Sequence, residues 1–311
     1  MDETISHKPA LHMAELGEWL ANKLGCQVHN LHPLKGGYWS SAFAFRADGD
    51  DLVIRFNPDP TGFEIDAKAM QFERLPIPKI LSIGQGLGYH YAISQRSFGT
   101  FLELCENNPF KIAKKLITGL AAQTTPILSN VNWFEEDQTR SYPWRSWLLE
   151  SLESAQASVI VDPARTIFEE CRTTIERLAD EIPERRDLVH GDLLHQNVLV
   201  TSSGDIAAIF SWKCSALGDF LFDIAWLDIW APWHPALENT LFGLDLAREA
   251  GLAKEALDHA QMRHFLYTLQ IGAHHLGWFS TINDKSSLAR MTSYLKHTLN
   301  KGPPNSTGGS S

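Results

Sequence analysis

Asp192 and Asn197 stand five residues apart in HGDLLHQN, within the stretch DLVHGDLLHQNVLV that runs from Asp187 to Val200. A carboxylate and a carboxamide at this spacing could serve phosphoryl transfer. That reaction needs little covalent help from a protein. It needs positioned phosphates, metal ions and a carboxylate near the attacking hydroxyl. Asp192 would accept or orient the hydroxyl. Asn197 can offer its amide oxygen to a magnesium ion. His190 would hydrogen-bond within the loop and fix its shape. The pattern is short and gains weight from its setting, with a mostly helical half before it and a hairpin, NVLVTSSGDIAAIF, after it.

The elements that must position this loop fall into two parts. Apolar spacing predicts a helix over Pro9–Leu24, with Leu16, Trp19, Leu20 and Leu24 on one face. Short β-like runs follow in CQVHNLHPL, SAFAFRAD and DLVIRFNP, with a hairpin turn at Gly49–Asp51. A helix is expected at Gly62–Leu75, then strands in PIPKILSIGQ and YHYAISQRS. After Gly99 the reading is helical: Thr100–Asn107, Phe110–Leu128, Pro143–Ala157, Pro163–Ala179, Phe220–Trp230, Ala236–Gly251, Lys254–Leu276 and Ser286–Asn300. The expected plan is α+β, with a small β-rich lobe over residues 1–96, a larger, mostly helical lobe over 97–300, and a disordered tail over 301–311. A ligand cleft is expected between the lobes.

Bulk properties narrow the class. A net charge of −10 argues against a nucleic-acid partner and suits a cationic small molecule. Cys26, Cys105, Cys171 and Cys214 form no Cys-x-x-Cys pair, as in a cytoplasmic protein with reduced thiols. The N-terminus has no signal-peptide pattern. No apolar run approaches the roughly 20 residues that cross a membrane. The expected state is a monomer or small homo-oligomer.

LVHGDLLHQNVLV, followed by GDIAAIFSW and GDFLFDIAW, resembles the aminoglycoside phosphotransferase family, a branch of the two-lobed protein-kinase-like fold. The resemblance covers nearly the whole chain. Within the family, VIRFN, LPIPKIL, ISQR and the Trp-rich segment after Gly218–Asp219 are most similar to the hygromycin B phosphotransferases. The resemblance implies ATP or GTP as donor, Mg2+ as cofactor, and antibiotic resistance. It makes Asp192 the catalytic base and Asn197 a magnesium ligand. Arg55 would touch the α and β phosphates, paired with Asp66, or failing that Glu64. Arg there is bulkier and more forked than the usual Lys. The turn Lys35–Phe43 would cover the phosphates with the N–H groups of Gly37, Ser40 and Ser41. The backbone of Ser94, Gln95 and Arg96 would meet the base edge. Asp219 and Asp223 resemble structural aspartates, and Asp219 is also an N-cap candidate.

Ser211 breaks the pattern. The family places a magnesium-binding Asp immediately before the Trp, here in FSW. A serine hydroxyl is neutral, and magnesium prefers anionic oxygen. Three explanations stand: a degenerate site, an engineered substitution, or replacement by a neighbouring carboxylate, Asp219 being the nearest in that direction.

For the acceptor, Trp226, Trp230 and Trp233 either stack on a sugar ring or fill the core of the large lobe. Asp228, Glu238 and the acidic run Glu135–Asp137 are candidates to meet ammonium groups. No histidine pair has metal-chelating spacing, and no Gly-x-Ser-x-Gly signature supports a hydrolase. The leading reading is a kinase acting on a hydroxyl of an aminoglycoside-like molecule. The alternatives are an inactive nucleotide-binding protein and a metabolic kinase of the same fold.

Overall fold

Leu16 and Leu20 are fully buried on helix α1, Met13–Leu24, which stops at Gly25 with a left-handed φ of +68°. The coordinates are a computed structural model, which describes residues 8–37, 39–72, 74–123, 143–159, 161–251 and 257–303. The acidic run Glu135–Asp137 and residues 304–311 of the tail lie outside the described residues, as do parts of the helices expected at Phe110–Leu128 and Lys254–Leu276.

The chain divides into two compact units, residues 1–107 with 192–214 and residues 108–191 with 215–311. In the first, β1 (Val28–Leu34), β2 (Ser41–Ala47), β3 (Asp50–Asn57), β4 (Ile80–Gly86) and β5 (Tyr89–Gln95) form an antiparallel sheet in the order β1-β2-β3-β5-β4. Alternation along β3 buries Leu52, Ile54 and Phe56 in the core with α1 and puts Arg55 on the opposite face. The β2–β3 turn sits at Asp48 and Gly49, whose φ values of +50° and +90° suit a two-residue hairpin. That is one residue earlier than Gly49–Asp51, because Asp50 and Asp51 already pair with Ala47 and Arg46. Helix α2, Thr61–Ala69, ends short of the expected Leu75.

The helix expected at Thr100–Asn107 is instead a short strand, β6 (Thr100–Phe101), and one 3-10 turn (Leu102–Leu104). Thr100 and Phe101 pair with Val200 and Leu199 of β8 (Val198–Val200), which also pairs with β9 (Ile206–Ile209). This pairing returns the loop from Asp192 to the β-rich unit. The division is therefore not the contiguous one expected at residues 96 and 97.

The second unit holds helices α3 (Pro109–Ala121), α4 (Trp144–Gln156), α5 (Ala164–Leu178), α6 (Leu221–Trp230), α7 (Gly243–Glu249), α8 (Ala260–Thr281) and α9 (Lys285–Lys301). It also holds the ladder of β7 (Asp187–Val189) with β10 (Ala216–Gly218). Helix α8 packs against α4, α5, α6 and α9. Only Gly243–Glu249 of the expected Ala236–Gly251 helix forms, and Gly243 at its start has a φ of +50°.

Candidate active site

The loop between β7 and β8 is folded on Asp192. Asn197 Nδ2 donates to the Asp192 carbonyl at 2.8 Å and to its Oδ2 at 2.7 Å. His195 Nδ1 donates to Asp192 Oδ1 at 2.8 Å. Because the amide nitrogen of Asn197 is committed to Asp192, its Oδ1 is left as an acceptor that can face a cation. His195 and Gln196 both take left-handed φ values, +60° and +70°, which turn the chain sharply.

The β8–β9 hairpin brings the second motif beside the first. Phe210 donates its N–H to the Asn197 carbonyl at 2.8 Å, so Ser211 starts one residue beyond a bonded pair. Ser211 has a φ of +62°. Helix α2 grips the same segment. Asp66 Oδ1 accepts the Trp212 N–H at 2.8 Å, and Asp66 Oδ2 accepts Arg55 Nη2 at 2.7 Å. Asp66, not Glu64, is thus the partner of Arg55. The guanidinium also lies 5.2 Å from the centre of the Phe63 ring. Next along the chain, Lys213 Nζ donates to Asp59 at 2.6 Å and, with Thr61, holds that carboxyl well below the usual range.

Of the three N–H groups expected to face phosphates, that of Gly37 is engaged within the protein, and the hydroxyls of Ser40 and Ser41 have partners of their own. Gly37 N–H donates to Gln196 Oε1 at 2.9 Å. Ser40 Oγ accepts from Asn57 Nδ2 at 3.0 Å, and Ser41 Oγ donates to the Pro9 carbonyl at 2.6 Å. At the expected base edge, Gln95 N–H bonds the Lys79 carbonyl and Arg96 N–H bonds the Asp51 carbonyl, both at 2.9 Å. Ser94 pairs with Val53 and Ile80. The N–H groups of Gln95 and Arg96 are therefore taken within the protein, which leaves backbone carbonyls as the groups of this segment that could meet a base edge.

In the second unit the two structural aspartates are fully engaged. Asp223 Oδ2 and Oδ1 accept the N–H groups of His190 and Gly191, each at 2.8 Å, just before Asp192 in the chain. His190 itself is buried. Asp219 accepts Arg263 Nε and Nη2 and the Tyr267 hydroxyl, all at 2.6 Å, and the Leu221 N–H at 3.0 Å. Asp219 and Arg263 are both 0 % exposed, so Asp219 has no oxygen to give a metal in place of residue 211.

The acceptor candidates are mostly structural. Trp226 and Trp230 are buried, with ring contacts to each other and to His275. Trp233 stacks on Phe279 and carries the Arg290 guanidinium 4.2 Å from its ring centre. Of the two readings open for Trp226 and Trp230, stacking on a sugar or filling the core, their burial favours the core. Asp228 accepts the N–H groups of Phe242 and Gly243 and pairs with His264 Nε2 at 2.7 Å. Glu238 is exposed.

Sequence reasoning missed Glu103 and left Gln196 without a role. Glu103 is 4 % exposed, and one of its oxygens accepts the Gln196 N–H. Burial pushes its carboxyl above the usual range, with the nearby Asp192 carboxylate adding to the shift. One signal was available: a lone acid inside the apolar run Phe101, Leu102, Leu104.

Among the described residues no three His, Cys, Asp or Glu side chains converge to hold a metal. Asn197 Oδ1 and Ser211 Oγ are both neutral. They can complete the shell of an ion carried by the phosphates of a nucleotide, but they do not form a charged protein site for magnesium.

A β-sheet region followed by a helical region, with an Arg–Asp pair and an Asp–Asn loop in the first unit, defines the α+β kinase-like fold. A profile of the phosphotransferase enzyme family matches residues 30–264, and the chain belongs to that family. It is 27 % identical over 244 residues to the hygromycin-B 4-O-kinase of Escherichia coli, covering 75 % of this chain and 71 % of that one. A solved thermostable mutant of aminoglycoside phosphotransferase APH(4)-Ia, in ternary complex with AMP-PNP and hygromycin B, matches with a TM-score of 0.74 and 24 % identity, over 94 % of this chain and 100 % of that one. The choline kinase LicA of Streptococcus pneumoniae matches with a TM-score of 0.62 and 11 % identity, over 94 % of this chain and 100 % of that one.

Proposed function

We propose that the protein is a small-molecule kinase that moves the γ-phosphoryl group of ATP or GTP to a hydroxyl of a cationic, aminoglycoside-like acceptor, with hygromycin B the first candidate. The observation that carries this reading is Asp192, whose two carboxylate oxygens are oriented by His195 and Asn197. Asp192 orients the acceptor hydroxyl and takes its proton. Arg55, steadied by Asp66, meets the phosphates. Asn197 Oδ1 and Ser211 Oγ are the groups that would meet magnesium, which when bound offsets the charge of the transferring phosphoryl group. The hygromycin-B 4-O-kinase relative and the AMP-PNP complex of the structural relative support the acceptor and donor classes.

Ser211 motivates a second reading, a nucleotide-binding protein without turnover. One experiment separates the two: phosphoryl transfer with magnesium, ATP or GTP and an aminoglycoside panel including hygromycin B, on the parent chain and on Ser211→Asp. A left-handed φ is one that Asp adopts more readily than most residues, so the backbone can receive it. We expect Ser211→Asp to raise turnover on the order of a hundredfold, the scale of a restored metal carboxylate. Equal activity in the two chains would remove Ser211 from the metal site. Nucleotide binding with no turnover in either would favour the inactive reading.

A further inference from the structure

Gln196 joins three pieces of the first unit. Its backbone is left-handed, directly after a left-handed His195, a combination of two non-glycine residues that needs outside support. Glu103 supplies it. This carboxylate is 4 % exposed, accepts the Gln196 N–H, and keeps its Oε2 buried without a partner. A buried carboxylate satisfied on one oxygen is costly, so its presence under the loop needs an explanation. From that fixed backbone the Gln196 side chain reaches the turn after β1, and its Oε1 accepts the Gly37 N–H at 2.9 Å. The fit is close: a Cβ at Gly36 would collide with the Gln196 amide, and Gly36 and Gly37 have φ values of +114° and +63°. The turn is also tied to the N-terminal segment, because Lys8 Nζ donates to the Gly36 carbonyl at 2.7 Å.

We infer that Gln196 competes with the nucleotide: its amide oxygen occupies the Gly37 N–H that a phosphate oxygen takes up on binding, and Glu103 is the positioning residue that aims it. The inference rests on the kinase reading and adds a regulation of the same site. The empty protein holds the turn latched to the catalytic loop. A phosphate oxygen, being charged, is the stronger acceptor and displaces the amide. A ligand with the base and sugar but no phosphate leaves the latch closed.

The test uses the full chain. Gln196→Asn keeps an amide and tolerates a left-handed φ, but is one methylene too short to reach Gly37. AMP-PNP and adenosine are titrated separately by calorimetry, and exchange of the Gly37 N–H is followed without nucleotide. We expect AMP-PNP to bind about three- to tenfold more tightly to the variant, the scale of one neutral hydrogen bond removed from the competing state. Adenosine affinity should stay the same, and Gly37 should exchange faster. Unchanged or weaker AMP-PNP binding overturns the competition. Glu103→Gln keeps an acceptor for the Gln196 N–H and should preserve slow Gly37 exchange, whereas Glu103→Leu should speed it. Equal exchange in those two variants overturns the role of Glu103. If the parent binds neither AMP-PNP nor GTP, the kinase reading fails, and exchange at Gly37 alone still decides whether the latch exists.

Discussion

Asp66 accepts the backbone N–H of Trp212 at 2.8 Å, across 146 residues of sequence, while its other oxygen holds Arg55. One side chain therefore sets both the Arg55 guanidinium and the segment that carries Ser211. Asp66→Ala strands a buried N–H and a half-buried cation together. We expect it to cost about 3 kcal/mol in urea unfolding. Asp66→Asn keeps an acceptor for Trp212 and should cost less, about 1–2 kcal/mol. Equal losses in the two variants would mean that only the ion pair matters.

Asp192 is bonded on both oxygens, so its removal should disturb chemistry more than nucleotide binding. Asp192→Ala, made in whichever of the parent or Ser211→Asp chains turns over, should lower kcat by about 10²–10⁴-fold, the range for a lost general base. Affinity for AMP-PNP, measured by calorimetry, should change by less than about threefold. A loss confined to KM would reassign Asp192 to substrate binding.

The Asp219–Arg263 pair is fully buried and braced by Tyr267. Breaking one side leaves an uncompensated charge. Arg263→Met should destabilise by about 3–5 kcal/mol, and Asp219→Asn by somewhat less. Removing both charges together should recover part of the loss. Thermal unfolding of the single and double variants would read this coupling as a departure from additivity.

Glu103 gives a pH dependence with a defined sign. Burial raises its pKa, so the folded chain keeps a proton that the unfolded chain loses above about pH 4.3. Its contribution to stability therefore falls as pH rises from that unfolded value through the folded one. Glu103→Gln removes this titration. The stability of the variant relative to the parent should grow as pH rises above the unfolded value and level off once the parent carboxyl is ionised. Urea unfolding at matched ionic strength measures the difference, and a flat difference across that range would contradict the raised pKa.

The parts of this site visible in the sequence are those set by short-range rules. Asp192 and Asn197 share one tight loop, and β3 alternation separates Arg55 from its apolar neighbours Ile54 and Phe56. Asp66 stands on the next helix, within reach of Arg55. What stayed hidden depends on partners far away in the chain. Phe101, Leu102 and Leu104 suit a helix until β8 arrives to pair with Thr100 and Phe101. That pairing also places Glu103 under Gln196. The N–H groups of Gln95 and Arg96 look available for a ligand until the carbonyls of Lys79 and Asp51 take them. Trp226 and Trp230 have a binding site's composition, and only the packing of α6 against α8 shows that their rings are enclosed.

The left-handed turn at Ser211 has one more consequence. The backbone there already has a shape that aspartate accepts, and Asp66 holds that shape through the amide of the next residue, not through the serine side chain. Exchanging the hydroxyl for a carboxylate therefore asks for no change of backbone conformation at this residue. Charge at this position can therefore be varied on a backbone shape that all three residues accept: Ser and Asn at 211 are neutral with different oxygen donors, and Asp adds one negative charge. Such a series lets the dependence of phosphoryl transfer on a single negative charge be dialled within one protein.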